Sequence, residues 1–213
     1  MALESIQPGK PPQDFTSYRP ISLLPLLSKI FEKRFLNRLR AFTDLNDALP
    51  NHQFGFREKH STTHQGHRLV NEIHKSLEEK TLCTAAFLDV QQAFDRVWHN
   101  GLLYKLKTAL PTRYYLLFLS YLTDHNFQIK HNTATSTTAP FRLGVPQGSV
   151  LGPLLYLLFM ADIPTTQNTT IATFADDTVV IAANEDPSPC IPLPTNPPRP
   201  PARLASNLAH QGQ

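Results

Sequence analysis

The sequence predicts an α+β fold, built from amphipathic helices and a small number of apolar strands. Apolar residues recur at three- and four-residue steps from Leu27 to Phe42, which is the period of an amphipathic helix. Residues 81–90 and 171–183 are short apolar stretches rich in residues that favour strands. They predict a buried strand and a hairpin, and the hairpin carries Asp176 and Asp177 at or near its turn.

Local signals predict the other elements. The first 18 residues are polar and interrupted by prolines, which predicts irregular structure, and residues 21–24 follow as a short extended piece. Ser or Thr at 61–63 is placed to cap a helix that runs to about Glu79. The remaining predictions are helices at 91–110, 113–122 and 153–161, a β-ribbon at 127–141 and a glycine-punctuated loop at 144–152.

Composition and charge limit the possible functions. The 213 residues are 41% hydrophobic, which is enough for one substantial domain or two small lobes. The net charge is +3, and nearly all of the basic residues lie between Lys10 and Arg142. No Lys or Arg occurs between Arg142 and Arg199, the segment that holds the paired carboxylates. A basic segment that faces an acidic site suits the binding of a polyanion.

Other features predict the compartment and the character of the C-terminal end. Cys83 and Cys190 give no disulfide framework and no signal peptide is recognisable, so we expect an intracellular protein, in the nucleus or the cytoplasm. The longest apolar run, residues 150–161, is too short to span a bilayer, so no membrane partner is expected. Residues 187–213 are rich in proline and predict a disordered tail. Docking of this tail in an aromatic groove of a partner protein is one alternative function.

Three carboxylates in apolar surroundings carry the main chemical signal. Asp89 ends one apolar run, and Asp176 and Asp177 interrupt another. A buried carboxylate is costly unless it is paired or binds a metal. With no local cation, a divalent metal held jointly by all three would solve the problem, and paired metals of this kind serve nucleotidyl transfer. From the residues alone, a metal site and a tight turn are equal alternatives for the adjacent pair.

Two further groups could bind a nucleotide. In the 144–152 loop, Gly148 allows the backbone to approach a ligand closely, and Gln147 offers an amide to a base or a sugar. Near the start of the chain, Lys10 and Arg19 could hold a triphosphate. For the loop by itself a structural role is the better interpretation, and the two cations alone do not distinguish a site from a surface.

Taken together, these segments resemble the reverse transcriptases of jockey-like non-LTR retrotransposons. The resemblance covers residues 8–183 in the order and at the spacing of that family. The matching strings are 17–24 (SYRPISLL), 53–57 (QFGFR) with 61–63 (STT), 87–90 (FLDV) with 93–95 (AFD), the 144–153 loop and 174–177 (FADD).

The resemblance implies a right-hand polymerase with fingers, a palm and a thumb, whose palm is an antiparallel sheet backed by helices. It divides the chain into fingers at 1–80, an incomplete palm with interleaved fingers elements at 81–186, and the proline-rich tail at 187–213. No thumb is recognisable after Ala183, so we expect a truncated reverse transcriptase with weak or undetectable activity, because contacts to the duplex phosphates would be lost.

The resemblance also assigns catalytic roles. Asp89, Asp176 and Asp177 look like the ligands of two Mg²⁺ ions, with Mn²⁺ as an alternative. Phe94 resembles the aromatic gate that disfavours a ribose 2′-hydroxyl on the incoming nucleotide. The implied reaction is RNA-directed DNA synthesis, in which a DNA primer 3′-hydroxyl attacks the α-phosphorus of a dNTP on an RNA template.

Nucleotide-binding roles follow in the same way. Gln147 and Gly148 lie in the loop that lines the nucleotide and template pocket of this family, and Lys10 and Arg19 correspond to fingers cations that hold the triphosphate. An alternative is a catalytically inactive remnant that at most binds nucleic acid.

A zinc-dependent module is a further alternative. It would use the ligand set His60, His64 and His67, which share the spacing of one helical face. Exposed histidines on a surface helix are the simpler interpretation.

Overall fold

A computed structural model describes residues 2–6, 9, 11, 18–22, 24–123, 126–131, 134–166 and 169–184. The helices are α1 (Leu26–Leu45), α2 (Thr62–Glu78), α3 (His99–Ala109), α4 (Thr112–Leu122) and α5 (Gly152–Phe159). The strands are β1 (Ala2–Ile6), β2 (Tyr18–Ser22), β3 (Leu82–Leu88), β4 (Asn126–Phe127), β5 (Ile129–His131), β6 (Ala134–Thr135), β7 (Ala139–Pro140), β8 (Thr169–Phe174) and β9 (Asp177–Asn184). The predicted mixture of helices and antiparallel strands is confirmed.

The sheet that matters for the site has three antiparallel strands in the order β3-β9-β8. A second sheet has the order β2-β1-β5-β6, in which β1 and β5 are parallel, and β4 pairs with β7 in a small ribbon. The ribbon and the β5–β6 pair agree with the predicted β-structure of residues 127–141. Helix α2 packs against β8 and β3.

The hydrophobic core lies among α1, α3, α4 and α5 and the segments that join them. Its side chains include Leu39, Leu102, Leu106, Phe118 and Leu155, all fully buried. Helix α1 buries one face in its middle turns, as its period predicts, but its first turns expose Leu26, Leu27, Ile30 and Phe31. None of the helices within the described ranges combines the length and the apolar character needed to cross a bilayer.

Helix ends follow the local signals. The Ser61 hydroxyl accepts a hydrogen bond from the backbone N–H of His64 at 3.2 Å, which caps α2 as expected. Pro153 lies in the first turn of α5, where a missing N–H has no cost. The predicted helix at 113–122 corresponds to α4, and α3 ends just before Pro111.

Three predictions were wrong. Residues 2–6 are not irregular but form β1, which pairs with β2 and β5, partners that local pattern does not reveal. Strand β3 is not buried, because its side chains are largely uncovered: five of its seven residues are exposed, and Phe87 is 77% exposed. The helix predicted from residue 91 begins only at His99, because Gln92 has a left-handed backbone (φ 55°) and the next residues form turns. Lys10 and the proline-rich tail lie outside the described residues, so the disordered tail stays a prediction.

Candidate functional site

The β8–β9 hairpin turns through Ala175 and Asp176. Phe174 and Asp177 form the last pair of the ladder, which leaves a two-residue loop between them. Ala175 has a φ of 60°, the positive value that the first central residue of a type II′ turn requires. Because a left-handed conformation costs an alanine about 1–2 kcal/mol, the surrounding contacts must hold the turn. The adjacent carboxylates therefore lie at the turn, as the sequence predicts.

Asp89 follows the end of β3, beside this hairpin. In the antiparallel pairing of β3 with β9, Leu88 lies opposite Thr178. Continued by one residue, this register places Asp89 opposite Asp177. Both carboxylates are exposed, and both line a cleft of about 400 Å³ whose walls come from α2 and the three-stranded sheet.

Asp176 is half-buried and faces a different neighbour, Tyr156 of α5. Burial raises the pKa of the Tyr156 phenol to about 12, and the negative charge of Asp176 adds to the rise. The phenol oxygen is buried and, within the described ranges, has no hydrogen-bond partner. Asp176, in the turn, and Asp177, at the start of β9, thus have different surroundings.

The three carboxylates share one end of the sheet without forming a ligand cluster. In the described part of the chain, no three His, Cys, Asp or Glu side chains form a group that could hold a metal ion. The donors fit a hard divalent cation in kind, since carboxylate oxygens are what Mg²⁺ prefers. Asp89, Asp176 and Asp177 therefore remain predicted metal ligands.

The zinc alternative gains no support from the described residues. His60, His64 and His67 belong to no group of described residues able to hold a metal ion. His64 and His67 are exposed on α2, and the His60 ring packs edge-on against Phe54 with the centroids 4.6 Å apart. They are surface and packing residues.

Phe94, the predicted gate, belongs to a cluster of three aromatic rings. It stacks on Tyr156 with the centroids 4.7 Å apart, and Phe56 meets it edge-on at 6.0 Å. The cluster joins the turn after β3, the loop before α2 and helix α5. Its position beside the phenol that faces Asp176 places Phe94 next to the carboxylate turn.

Gln147 is tied into the loop rather than free to meet a ligand. Its side-chain NH₂ donates to both carboxylate oxygens of Asp95, at 2.8 and 2.9 Å, and its backbone carbonyl accepts from the Ser22 N–H at 2.8 Å. Gly148 has a φ of 92°, which a residue with a side chain rarely adopts. The structural interpretation of this loop is therefore supported for Gln147, whose amide is already engaged.

A buried carboxylate that sequence reasoning missed anchors the same loop. Glu32 of α1 is 2% exposed and accepts hydrogen bonds from the Val150 N–H at 2.7 Å and the Tyr121 hydroxyl at 3.0 Å. Nothing in the local sequence distinguishes Glu32 from a surface residue, except that it falls on the apolar side of the α1 pattern.

Gln53 was also missed, and it contacts the carboxylate turn directly. Its side-chain oxygen accepts from the N–H groups of Gly55 at 2.8 Å and Ala175 at 3.0 Å, while its amide donates to the Ala175 carbonyl at 3.2 Å. Arg57, from the same QFGFR string, donates to the carbonyls of Pro50 and Gln53. The string that carries the resemblance is therefore a structural support of the turn.

Of the two cations predicted to hold the triphosphate, the structure describes only the backbone of Arg19. Arg19 lies in β2, with its backbone paired to Ser5, and its side chain is not described. Lys10 lies outside the described residues. Their roles stay predictions.

Comparison with known proteins identifies the family. Residues 9–192 match the family described as reverse transcriptase (RNA-dependent DNA polymerase). The chain is 48% identical over 185 residues to the RNA-directed DNA polymerase from mobile element jockey of Drosophila melanogaster, covering 83% of this chain and 20% of that protein. It is 46% identical over 183 residues to the probable RNA-directed DNA polymerase from transposon BS of the same organism, covering 82% of this chain and 20% of that protein.

A solved structure shares the fold. Apo telomerase from Candida tropicalis, truncated from its C-terminal domain, superposes with a TM-score of 0.57 at 16% identity, covering 79% of this chain and 42% of that chain. The chain spans about a fifth of the length of the curated relatives that it matches. Because the family match covers most of the chain, and these relatives share nearly half of its residues over that span, the chain belongs to the reverse transcriptase family.

Proposed function

We propose that this chain is the nucleotidyl-transfer core of a retrotransposon reverse transcriptase, which extends a DNA primer with dNTPs on an RNA template. The observation that carries the proposal is that the family's two separate aspartate strings lie at one end of one sheet, where Leu88, directly before Asp89, pairs with Thr178, directly after Asp177. The relatives are named RNA-directed DNA polymerases, which supports the same reaction. The right-hand division into fingers at 1–80 and palm at 81–186 is part of this proposal.

In this proposal, Asp89, Asp176 and Asp177 hold divalent metal, Mg²⁺ in the cell and Mn²⁺ as an alternative. Residues opposite each other in an antiparallel pair have Cβ atoms about 4.5–5.5 Å apart, so the exposed Asp89 and Asp177 side chains can reach a shared ion. Bound metal of this kind supplies activation of the primer hydroxyl and neutralisation of charge on the departing pyrophosphate. The carboxylates themselves fix where the metal lies.

The incoming nucleotide would lie against the aromatic cluster. Phe94 is held on two sides by Tyr156 and Phe56, so its ring is a rigid surface suited to exclude a 2′-hydroxyl. Gly148 supplies backbone that a sugar or base can approach, and Gln147 fixes the loop through Asp95. Lys10 and Arg19 remain the proposed partners of the triphosphate.

Template and primer would be gripped through their phosphates. Helix α1 exposes four cations along its length, which are Lys29, Lys33, Arg34 and Arg38. Contacts of this kind give affinity without sequence preference and weaken as salt rises. They are consistent with an RNA template and a DNA primer as partners.

Primer extension tests the proposal. The full chain is given poly(rA), oligo(dT) and dTTP with Mg²⁺ or Mn²⁺, and compared with Asp176→Asn and with the matched control Asp44→Asn, an exposed α1 residue. We expect weak, metal-dependent incorporation by the wild type and the control, and none by Asp176→Asn. Equal incorporation by Asp176→Asn would overturn the proposal.

A second candidate function is nucleic-acid binding without catalysis. It is favoured by the observation that the three carboxylates form no ligand cluster in the described part of the chain. Gel-shift measurement on the same primer–template separates the two candidates. Binding without incorporation under every metal condition would support the second.

A further inference from the structure

We infer that Gln53 is the positioning residue of the carboxylate turn: its side-chain amide holds the left-handed backbone of Ala175 and so fixes the direction of Asp176. The inference rests on the proposed function, because it assigns Asp176 to metal. It starts from the backbone. The turn requires a positive φ at Ala175, a conformation that glycine adopts freely and alanine does not. Contacts from other residues must therefore hold Ala175 in this conformation.

The contacts of Gln53 meet this requirement on both sides of Ala175. Its oxygen accepts from the Ala175 N–H at 3.0 Å, and its NH₂ donates to the Ala175 carbonyl at 3.2 Å. Together they hold the two peptide units whose orientation defines φ and ψ of that residue. Gln53 is 3% exposed, so water does not compete for these groups.

The orientation of the amide is fixed by its partners. The Gln53 oxygen accepts a second hydrogen bond, from the Gly55 N–H at 2.8 Å. If oxygen and nitrogen were exchanged, the NH₂ group would face two N–H donors, which cannot pair with it. The same network therefore specifies glutamine, because no isosteric carboxylate or hydrocarbon could make all three bonds.

Backbone hydrogen bonds between the segment around Gln53 and the end of β8 hold Gln53 beside the carboxylate turn. The Phe54 N–H donates to the Thr173 carbonyl, and the Thr173 N–H donates to the His52 carbonyl, both at 2.9 Å. Gly55 allows the close approach, because a Cβ there would lie 2.0 Å from the Ala175 nitrogen. The segment before α2 is thus placed against the last residues of β8, and the Gln53 side chain reaches past them to bond the turn.

A second buried glutamine provides a matched control. Gln65 of α2 is 5% exposed and donates to the carbonyls of His52 at 2.9 Å and Thr173 at 3.1 Å. It supports the same strand end, and both of these hydrogen bonds go to residues outside the turn. Loss of its hydrogen bonds should therefore weaken the fold without redirecting Asp176.

The experiment measures Mn²⁺ binding to the full chain by electron paramagnetic resonance, for the wild type, Gln53→Met and Gln65→Met. Methionine keeps the length of the side chain and removes the hydrogen bonds. Supporting groups of this kind typically change metal affinity about 10- to 100-fold, so we expect Gln53→Met to weaken binding by that factor and Gln65→Met to keep wild-type affinity. Unfolding temperatures by circular dichroism record the stability of each variant.

Two results would overturn the inference while leaving the proposed function in place. One is wild-type Mn²⁺ affinity in Gln53→Met, and the other is an equal loss in Gln65→Met, which would indicate general destabilisation. A wild-type chain that binds no Mn²⁺ would instead overturn the proposed metal site, and the inference with it.

A second background keeps the test decisive if Gln53→Met folds poorly. Glycine adopts a positive φ freely, so in an Ala175→Gly background the turn needs the Gln53 amide less. We expect Gln53→Met to cost less Mn²⁺ affinity there than in the wild-type background. An equal loss in both backgrounds would contradict the role of Gln53 in holding Ala175.

Discussion

Phe94 lies flat against Tyr156, with the ring centroids 4.7 Å apart and the planes 28° from parallel. The stack links the turn after β3 to α5, directly beside the carboxylate turn. Tyr156 is only 1% exposed, and its hydroxyl has no hydrogen-bond partner among the residues that the structure describes. The ring therefore stabilises the site, while the buried hydroxyl opposes folding.

Tyr156→Phe should therefore stabilise the chain, because it removes an unpaired buried polar group and keeps the ring. We expect a gain of about 1 kcal/mol in the free energy of unfolding, measured by urea denaturation. Tyr156→Ala removes the ring as well and should cost about 3–5 kcal/mol. A loss of stability in Tyr156→Phe would mean that the hydroxyl has a partner in solution.

Gly55→Ala should destabilise the chain, because the added methyl group would collide with the backbone of the carboxylate turn. An added Cβ would lie 2.0 Å from the Ala175 nitrogen and 2.7 Å from its Cα, and both atoms are backbone that cannot rotate away. Forced displacement of the turn should cost about 1–3 kcal/mol in the free energy of unfolding, again measured with urea.

The matched control is Gly66→Ala, in α2. A Cβ there meets nothing within 4 Å, and alanine favours a helix interior over glycine by about 1 kcal/mol. The two glycine substitutions should therefore have opposite signs. If both substitutions stabilise the chain, Gly55 does not lie as close to Ala175 as the structure shows.

Glu32 offers a test of the loop anchor. Glu32→Ala removes the acceptor of the Val150 N–H and one partner of the Tyr121 hydroxyl, and it should cost about 2–3 kcal/mol, because two hydrogen bonds to a buried charged group are lost. Glu32→Gln should cost less, since its amide oxygen still accepts one bond. Thermal unfolding compares both with Glu58→Gln, which breaks an exposed ion pair with Arg40 and should change stability by less than about 1 kcal/mol.

The sequence predicts an element correctly where the structure of that element depends on its own residues. Helix α2 has its serine cap, and the β8–β9 hairpin has its apolar flanks with two carboxylates at the turn. The strands that carry Asp89 and the Asp176–Asp177 pair are likewise predicted from local pattern, and the sheet places them side by side. The spacing of Asp89, Asp176 and Asp177 along the sequence could not show whether their carboxylate oxygens lie close enough to share a metal ion.

Features that depend on distant partners escape local pattern. The turn at 91–98 overrides a helical period, because the Phe94 and Val97 carbonyls accept hydrogen bonds from the Val145 and Gly144 N–H groups instead of helical ones. The bonds from Gln53 to Ala175 span 122 residues, and the bond from Glu32 to Val150 spans 118. The sequence does not show that Gln53 and Glu32 are buried and bond to distant segments, because glutamine and glutamate are usually surface residues.

His52 makes the stability of the site dependent on pH. Burial and the nearby positive charge of Arg68 lower the pKa of His52 below its ordinary value of about 6.5. Between the folded pKa and 6.5, the unfolded chain therefore binds more protons at this residue than the folded chain. The free energy of unfolding should fall as the pH drops from about 6.5 toward the folded pKa and should show no further loss from this residue below it.

His52→Gln should remove this slope, because glutamine does not titrate. His74→Gln, which replaces an exposed histidine of α2, serves as the control and should keep the wild-type slope. Urea denaturation at a series of pH values between 5 and 8 measures the effect. His52 directly precedes Gln53, and its backbone carbonyl accepts hydrogen bonds from Gln65 and Thr173, so this pH dependence arises in the segment that carries Gln53 to the carboxylate turn. If His52→Gln keeps the wild-type slope, another group is responsible for the pH dependence.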